Sequence, residues 1–182
     1  PGVTTGLNNV AIGRGVAASL TSGNDNIAIG YSALYTSTTG YNNIAIGEST
    51  LGGADTTGND NIAIGNSAMD ALTTGACNVA IGVNALGAAT TGCQNVAIGD
   101  LAMGRGAVTG NGCNVAIGYC AGAEMLTGLG NIIMGYQAAR CCAITGNDNI
   151  IMGTNAGSKL TSGIRNMLFG GHAGHTLTTG ND

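Results

Sequence analysis

Aromatic side chains, charge and proline are almost missing from this chain. It has no Trp, one Phe and one Pro, and charged residues make up 8% of its 182 positions. A domain of that length ordinarily buries large aromatics in one compact core, so the shortage excludes such a core and calls for a thin one made of aliphatics. The five cations, Arg14, Arg105, Arg140, Lys159 and Arg165, stand singly. Without a basic stripe to neutralise a phosphate backbone, nucleic-acid binding is not expected. No apolar run approaches the roughly 20 residues of a membrane span, and the first residues show no signal-peptide pattern. With so few polar groups, neither catalysis nor a cofactor is expected.

Repetition is what the chain does have. The pentapeptide Asn-(Ile/Val)-(Ala/Ile)-(Ile/Met)-Gly, with one looser copy, ends at Gly13, Gly30, Gly47, Gly65, Gly82, Gly99, Gly118, Gly135, Gly153 and Gly170, at intervals of 17 to 19 residues. A fixed period of this size marks a solenoid. The expected fold is therefore all-β, a parallel β-solenoid of ten coils centred on the Asn-x-x-x-Gly strands. Residues 1–182 read as one repetitive segment of a longer protein, since Thr178–Asp182 begins a further unit.

Each aligned column has its own chemistry. Side chains alternate along a strand, so the two branched residues of each pentapeptide share a face; Ile27, Ile29, Ile44, Ile46, Ile62 and Ile64 are the expected core. Asn at each strand start, including Asn26, Asn43, Asn61, Asn78, Asn95 and Asn114, is placed to form a ladder from coil to coil. A small residue, usually Ala, follows each pentapeptide Gly by three, as at Ala33 and Ala68, which suggests a second short strand across a narrow lumen. Thr or Ser precedes a turn Gly in every unit, from Thr5-Gly6 to Thr179-Gly180; turn chemistry accounts for it, with Gly expected to supply a conformation that a Cβ hinders.

Two columns vary reciprocally. Coils 2 to 6 carry Ala mid-strand and Leu or Met four after the Gly, as in Ala28 with Leu34. Coils 8 to 10 carry Ile133, Ile151 and Leu168 mid-strand with Ala139, Gly157 and Gly174. Conserved total volume implies contact between the columns, within one chain or between chains.

Asn26, Ala28, Ile29, Gly30 and Ala33, with their equivalents in all ten coils, resemble the head repeat of trimeric autotransporter adhesins, the YadA-like head, and related repeats of phage and virus tail fibres. That resemblance implies a left-handed β-roll, three chains around an axis, and an extracellular role on a cell or virion surface, attaching to a host receptor, matrix or surface glycan. These coils are longer than the usual repeat, the excess lying in the Thr-Thr-Gly turn. Association is also expected because the aliphatic area of one coil falls short of its backbone entropy, leaving the mid-strand column to be buried against sister chains. A self-assembling extracellular filament and a calcium-binding β-roll are the alternatives, the latter from Gly-Asn-Asp at 23–25, 58–60 and 146–148.

Other reactive residues are few. With coils about 4.8 Å apart, a disulfide can join Cys77 to Cys93 or Cys93 to Cys113 but not both. The six cysteines include no C-x-x-C pair, so zinc is not expected. His172 and His175 are the only histidines; they read as exposed turn residues, although three chains around an axis would gather six imidazoles.

Overall fold

In the computed structural model, which describes residues 5–181, each pentapeptide contributes one strand of three residues. The strands are β1 (Val10–Ile12), β2 (Ile27–Ile29), β3 (Ile44–Ile46), β4 (Ile62–Ile64), β5 (Val79–Ile81), β6 (Val96–Ile98), β7 (Val115–Ile117), β8 (Ile132–Met134), β9 (Ile150–Met152) and β10 (Met167–Phe169). They form one parallel ten-stranded sheet in chain order. Pairing is column on column, as in Ile27 with Ile44, Ala28 with Ala45 and Ile29 with Ile46. The fold is a parallel β-solenoid, and coil n denotes the coil that carries strand βn. Nine steps of about 4.8 Å give a stack roughly 43 Å long.

Backbone chemistry limits the strands to three residues. Each is preceded by its Asn, whose side chain turns into the coil, and by a residue with left-handed φ such as Asp25 (56°), Asn42 (56°) or Asp60 (59°). Each ends on a Gly with φ between 107° and 139°. At Gly47 a Cβ would also lie 2.6 Å from the carbonyl oxygen of Gly65, so only Gly serves there.

The interior reverses the expected core. The mid-strand residues point inward: Ala28, Ala45, Ala63, Ala80, Ala97, Ala116, Ile133 and Ile151 are buried. Ile27, Ile29, Ile44, Ile46, Ile62 and Ile64 point outward and are half-buried or exposed, with Ile27 at 37%. A coil of about 17 residues encloses too little space for two branched side chains per strand, so the small side of the strand faces in.

The second wall of the lumen is not a strand. It consists of stacked turns, bonded coil to coil by the amide of the residue four after each Gly and the carbonyl of the residue three after the next one: Leu34 to Thr50, Leu51 to Ala68, Met69 to Ala85, Leu86 to Ala102. The residues two and four after the Gly have left-handed φ, as at Ser32 (54°) and Leu34 (51°), which no strand allows. Leu20, Leu72, Ala89, Met125 and Leu160, seven after the Gly, complete the lumen. In the longer coils the interval is taken up at this corner: Thr56, Val108 and Ile144, nine after the Gly, are buried instead, and the sheet register passes the long coils unbroken.

The reciprocal columns touch inside one chain. A Cβ built on Gly157 would lie 3.2 Å from Ile151 Cδ1, and one on Gly122 would lie 3.1 Å from Ile133 Cδ1. Ala28 and Leu34 are buried together in the same core cluster. The mid-strand column is thus shielded by its own coil and is not left open to be buried against sister chains.

Candidate interaction surface

The turned-out face of the sheet has two apolar columns. One runs Val10, Ile27, Ile44, Ile62, Val79, Val96, Val115, Ile132, Ile150, Met167; the other runs Ile12, Ile29, Ile46, Ile64, Ile81, Ile98, Ile117, Met134, Met152, Phe169. None of these twenty positions is polar. The contiguous apolar surface of this face, rimmed by polar residues, makes it the candidate interaction surface. Sequence reasoning chose the right residues but placed them inside; the small mid-strand Ala of coils 1 to 7 was the available signal of the true orientation.

Two rows, exposed but for the half-buried Gly130, flank the face. Before the strands lie Asn8, Asp25, Asn42, Asp60, Cys77, Gln94, Cys113, Gly130, Asp148 and Arg165. After them lie Arg14, Tyr31, Glu48, Asn66, Val83, Asp100, Tyr119, Tyr136, Thr154 and Gly171. In the first row Asn8 Nδ2 donates to Asp25 Oδ1 at 2.9 Å and Asn42 Nδ2 to Asp60 Oδ1 at 3.0 Å, so successive coils avoid stacking carboxylates. In the second, Val83 N donates to Asp100 Oδ1 at 3.2 Å and Asn66 Nδ2 to Glu48 Oε2 at 3.4 Å. Arg14 lies over the Tyr31 ring at 5.9 Å, and the Tyr119 and Tyr136 rings stack at 5.3 Å. A side-chain hydrogen bond with Cys120 raises the Tyr119 phenol above its ordinary value, with the Cys120 charge adding to it.

Beneath the face, the Asn column holds the coils together. Asn43 N donates to Asn26 Oδ1 at 2.9 Å, and Asn61 N and Nδ2 donate to Asn43 Oδ1 at 3.0 and 3.1 Å. Asn78 meets Asn61, Asn95 meets Asn78, and Asn114 meets Asn95 in the same way. The amide also reaches the turn, as in Asn61 Nδ2 to the Gly75 carbonyl at 3.0 Å. Polar residues that enter the lumen are likewise satisfied: Ser37 Oγ donates to Thr56 O at 2.7 Å and Thr50 Oγ1 to Gly65 O at 2.6 Å. Among the described residues no buried side-chain polar atom lacks a partner.

The turn Gly column owes its identity to crowding more than to dihedral angle. Gly40 has no left-handed φ, but a Cβ there would lie 2.8 Å from Gly58 O and 2.9 Å from Asn43 Nδ2.

The other reactive residues remain apart. Cys77, Cys93 and Cys113 are all free thiols. Cys93 Sγ faces the Ala76 amide at 3.3 Å and Cys113 Sγ lies 3.4 Å from Gln94 Oε1; the strand-like partner of Cys93 is Asn111, two residues short of Cys113. His172 and His175, in edge contact at 6.1 Å, lie two and five residues past Gly170, on the turn and off the apolar face. Among the described residues no three His, Cys, Asp or Glu side chains gather as a metal site, and Asp25 and Asp60 of the Gly-Asn-Asp turns pair with asparagine. Asp70 is pushed above the ordinary carboxylate range by burial, partly offset by a hydrogen bond from the Gly53 amide. A cavity of about 370 Å³ at coil 1 is lined by Gly6, Asn8, Asn9, Ala11, Val16, Ala17 and Leu20, none of them titratable. Among the described residues no helix is long and apolar enough to cross a membrane.

Fold and surface together define a β-solenoid repeat protein with one apolar face. Comparisons with protein-family models, curated proteins and solved structures found no match to the chain.

Proposed function

We propose that this chain is a segment of an extracellular structural or adhesive fibre on a cell or virion surface, non-catalytic, whose copies associate through the outward Val/Ile/Met face, three around an axis as the adhesin-head resemblance implies. The observation that carries this reading is the unbroken apolarity of that face across all ten strands. Water would meet two columns of apolar side chains along the whole stack, and covering them supplies the burial that each thin coil lacks. The fibre's contact with a receptor, matrix or glycan then falls to the remaining surfaces of the rod. Sedimentation equilibrium of the chain tests the association: a species at a multiple of 17.7 kDa is expected, and a monomer at all concentrations overturns it.

A further inference from the structure

The rows beside the apolar face carry information about how the copies align. Along Asp25, Ile27, Ile29 and Tyr31 every second side chain is turned outward, so the surface is four columns wide, two apolar columns between two polar ones. A band of about 20 Å by about 43 Å covers on the order of 900 Å², against the roughly 800 Å² per partner of a stable interface.

Any parallel, in-register cyclic arrangement brings the row before the strands of one copy against the row after the strands of the next, at equal height. Seven of the ten pairs are then complementary. Asp25 meets the hydroxyl of Tyr31, Asp60 the amide of Asn66, and Asp148 the hydroxyl of Thr154. Glu48 meets the amide of Asn42, and Asp100 that of Gln94. All ten residues are exposed. The carboxylates of Asp25, Asp60, Asp100 and Glu48 each use one oxygen within the chain, leaving the other to accept from a neighbour. Val83 meets Cys77, apolar against apolar, and the bulky Tyr136 meets Gly130. An inverted two-fold arrangement places like rows together: Asp25 then faces Asp148, and Val83 faces the Asp100 carboxylate, both unfavourable.

The geometry points to these two rows as the determinant of orientation and register, in which each carboxylate accepts a hydrogen bond from the sister chain's donor at the same coil. This rests on the self-association proposed above and adds to it the partner for each residue. Acidic residues in such rows direct pairing more than they add affinity.

A single substitution reads the arrangement out. In Val83→Cys the new thiol of one copy lies beside the native Cys77 of the next. Oxidised glutathione takes two electrons and two protons from the pair, forming one disulfide and two glutathione thiols. Non-reducing electrophoresis is expected to shift the variant, well beyond the native chain treated alike, to multiples of 17.7 kDa, and adding Cys77→Ser is expected to abolish the shift. If sedimentation shows the variant associated but no such cross-link forms, the alignment is overturned while association stands. The alignment is equally overturned if Asp25→Cys with Asp148→Cys and Cys77→Ser cross-links to multiples of the chain mass, because that pair lies seven coils apart within one chain and meets only in the inverted arrangement. A Val83→Cys variant that sediments as a monomer, like the native chain, overturns both.

Discussion

Coils 2 to 6 and coils 8 to 10 fill the same lumen in opposite ways. In the first group a mid-strand Ala faces Leu34, Leu51, Met69, Leu86 or Met103; in the second, Ile133, Ile151 or Leu168 reaches across to Ala139, Gly157 or Gly174. Coil 7 is the seam. It has small residues on both sides, Ala116 and Gly122, and a Cβ on Gly122 would meet Ile133 Cδ1 at 3.1 Å, Met103 Cγ at 3.6 Å and Met125 Cε at 3.7 Å. Side chains from both neighbouring coils thus close the gap. What the coils share is the volume between two walls, and either wall can supply it. The outer face changes at the same place, from Val and Ile in β1 to β7 to Met and Phe in the third positions of β8 to β10.

The comparison can be broken most forcefully in coil 9. Ile151→Ala removes the side chain that covers Gly157 and is expected to cost about 2 to 5 kcal/mol. Adding Gly157→Leu recreates the arrangement of coils 2 to 6, where Leu34 holds the same place at φ 51°, and should recover part of the loss. Denaturant unfolding of the two single variants and the double variant gives the coupling; strict additivity would mean that the columns do not share volume.

The converse change in coil 5 is expected to be milder. Ala80→Ile overpacks the lumen by about 1 to 3 kcal/mol. Leu86→Gly should relieve it twice over, by opening space and by removing a branched residue from φ 50°.

The Asn ladder sharpens the comparison by being common to both regions. Asn61→Ala and Asn149→Ala each strip donors and acceptors from buried neighbours, so each should cost about 1 to 3 kcal/mol. A marked inequality would mean that ladder strength depends on how the lumen is filled.

Asp70→Asn should have the smallest effect. Coils 8 to 10 carry Arg140, Ser158 and His175 at the equivalent place, and coils 2, 3, 5 and 6 carry Tyr35, Gly52, Gly87 and Gly104, so this is a property of coil 4 alone. Because the folded Asp70 carboxyl is raised by burial, the stability it contributes is full below the ordinary carboxylate range and is lost as pH rises through the folded value. The variant should therefore melt slightly higher than the parent at about pH 7, with the difference closing at about pH 3. A difference independent of pH would contradict the burial argument.

Periodicity made the strands, their parallel order and the coil spacing legible, because a repeat of 17 to 19 residues with one β-branched segment leaves few other ways to stack. The direction of each strand was not. Ile27 and Ile29 look like core by size, yet size is decided by the lumen, whose width depends on how tightly the chain turns. That tightness was hidden in Leu34, Leu51 and Met69, whose left-handed φ values of 51°, 50° and 52° contradict their ordinary preference and turned an expected second strand into a stack of corners. The polar rows were visible as residues and unreadable as a surface until the orientation was known.

Adjacent residues of one strand face opposite ways, Ala63 into the closed lumen and Ile64 toward the proposed sister chain. Circular dichroism and sedimentation of Ala63→Glu beside an Ile64→Glu, Ile81→Glu double variant test it most directly. The account predicts that Ala63→Glu loses its β-rich spectrum, because a carboxylate has no partner in the lumen, while the double variant keeps that spectrum and sediments at a lower mass than the parent. A double variant that unfolds as Ala63→Glu does, or that stays folded with the parent's mass, would contradict it.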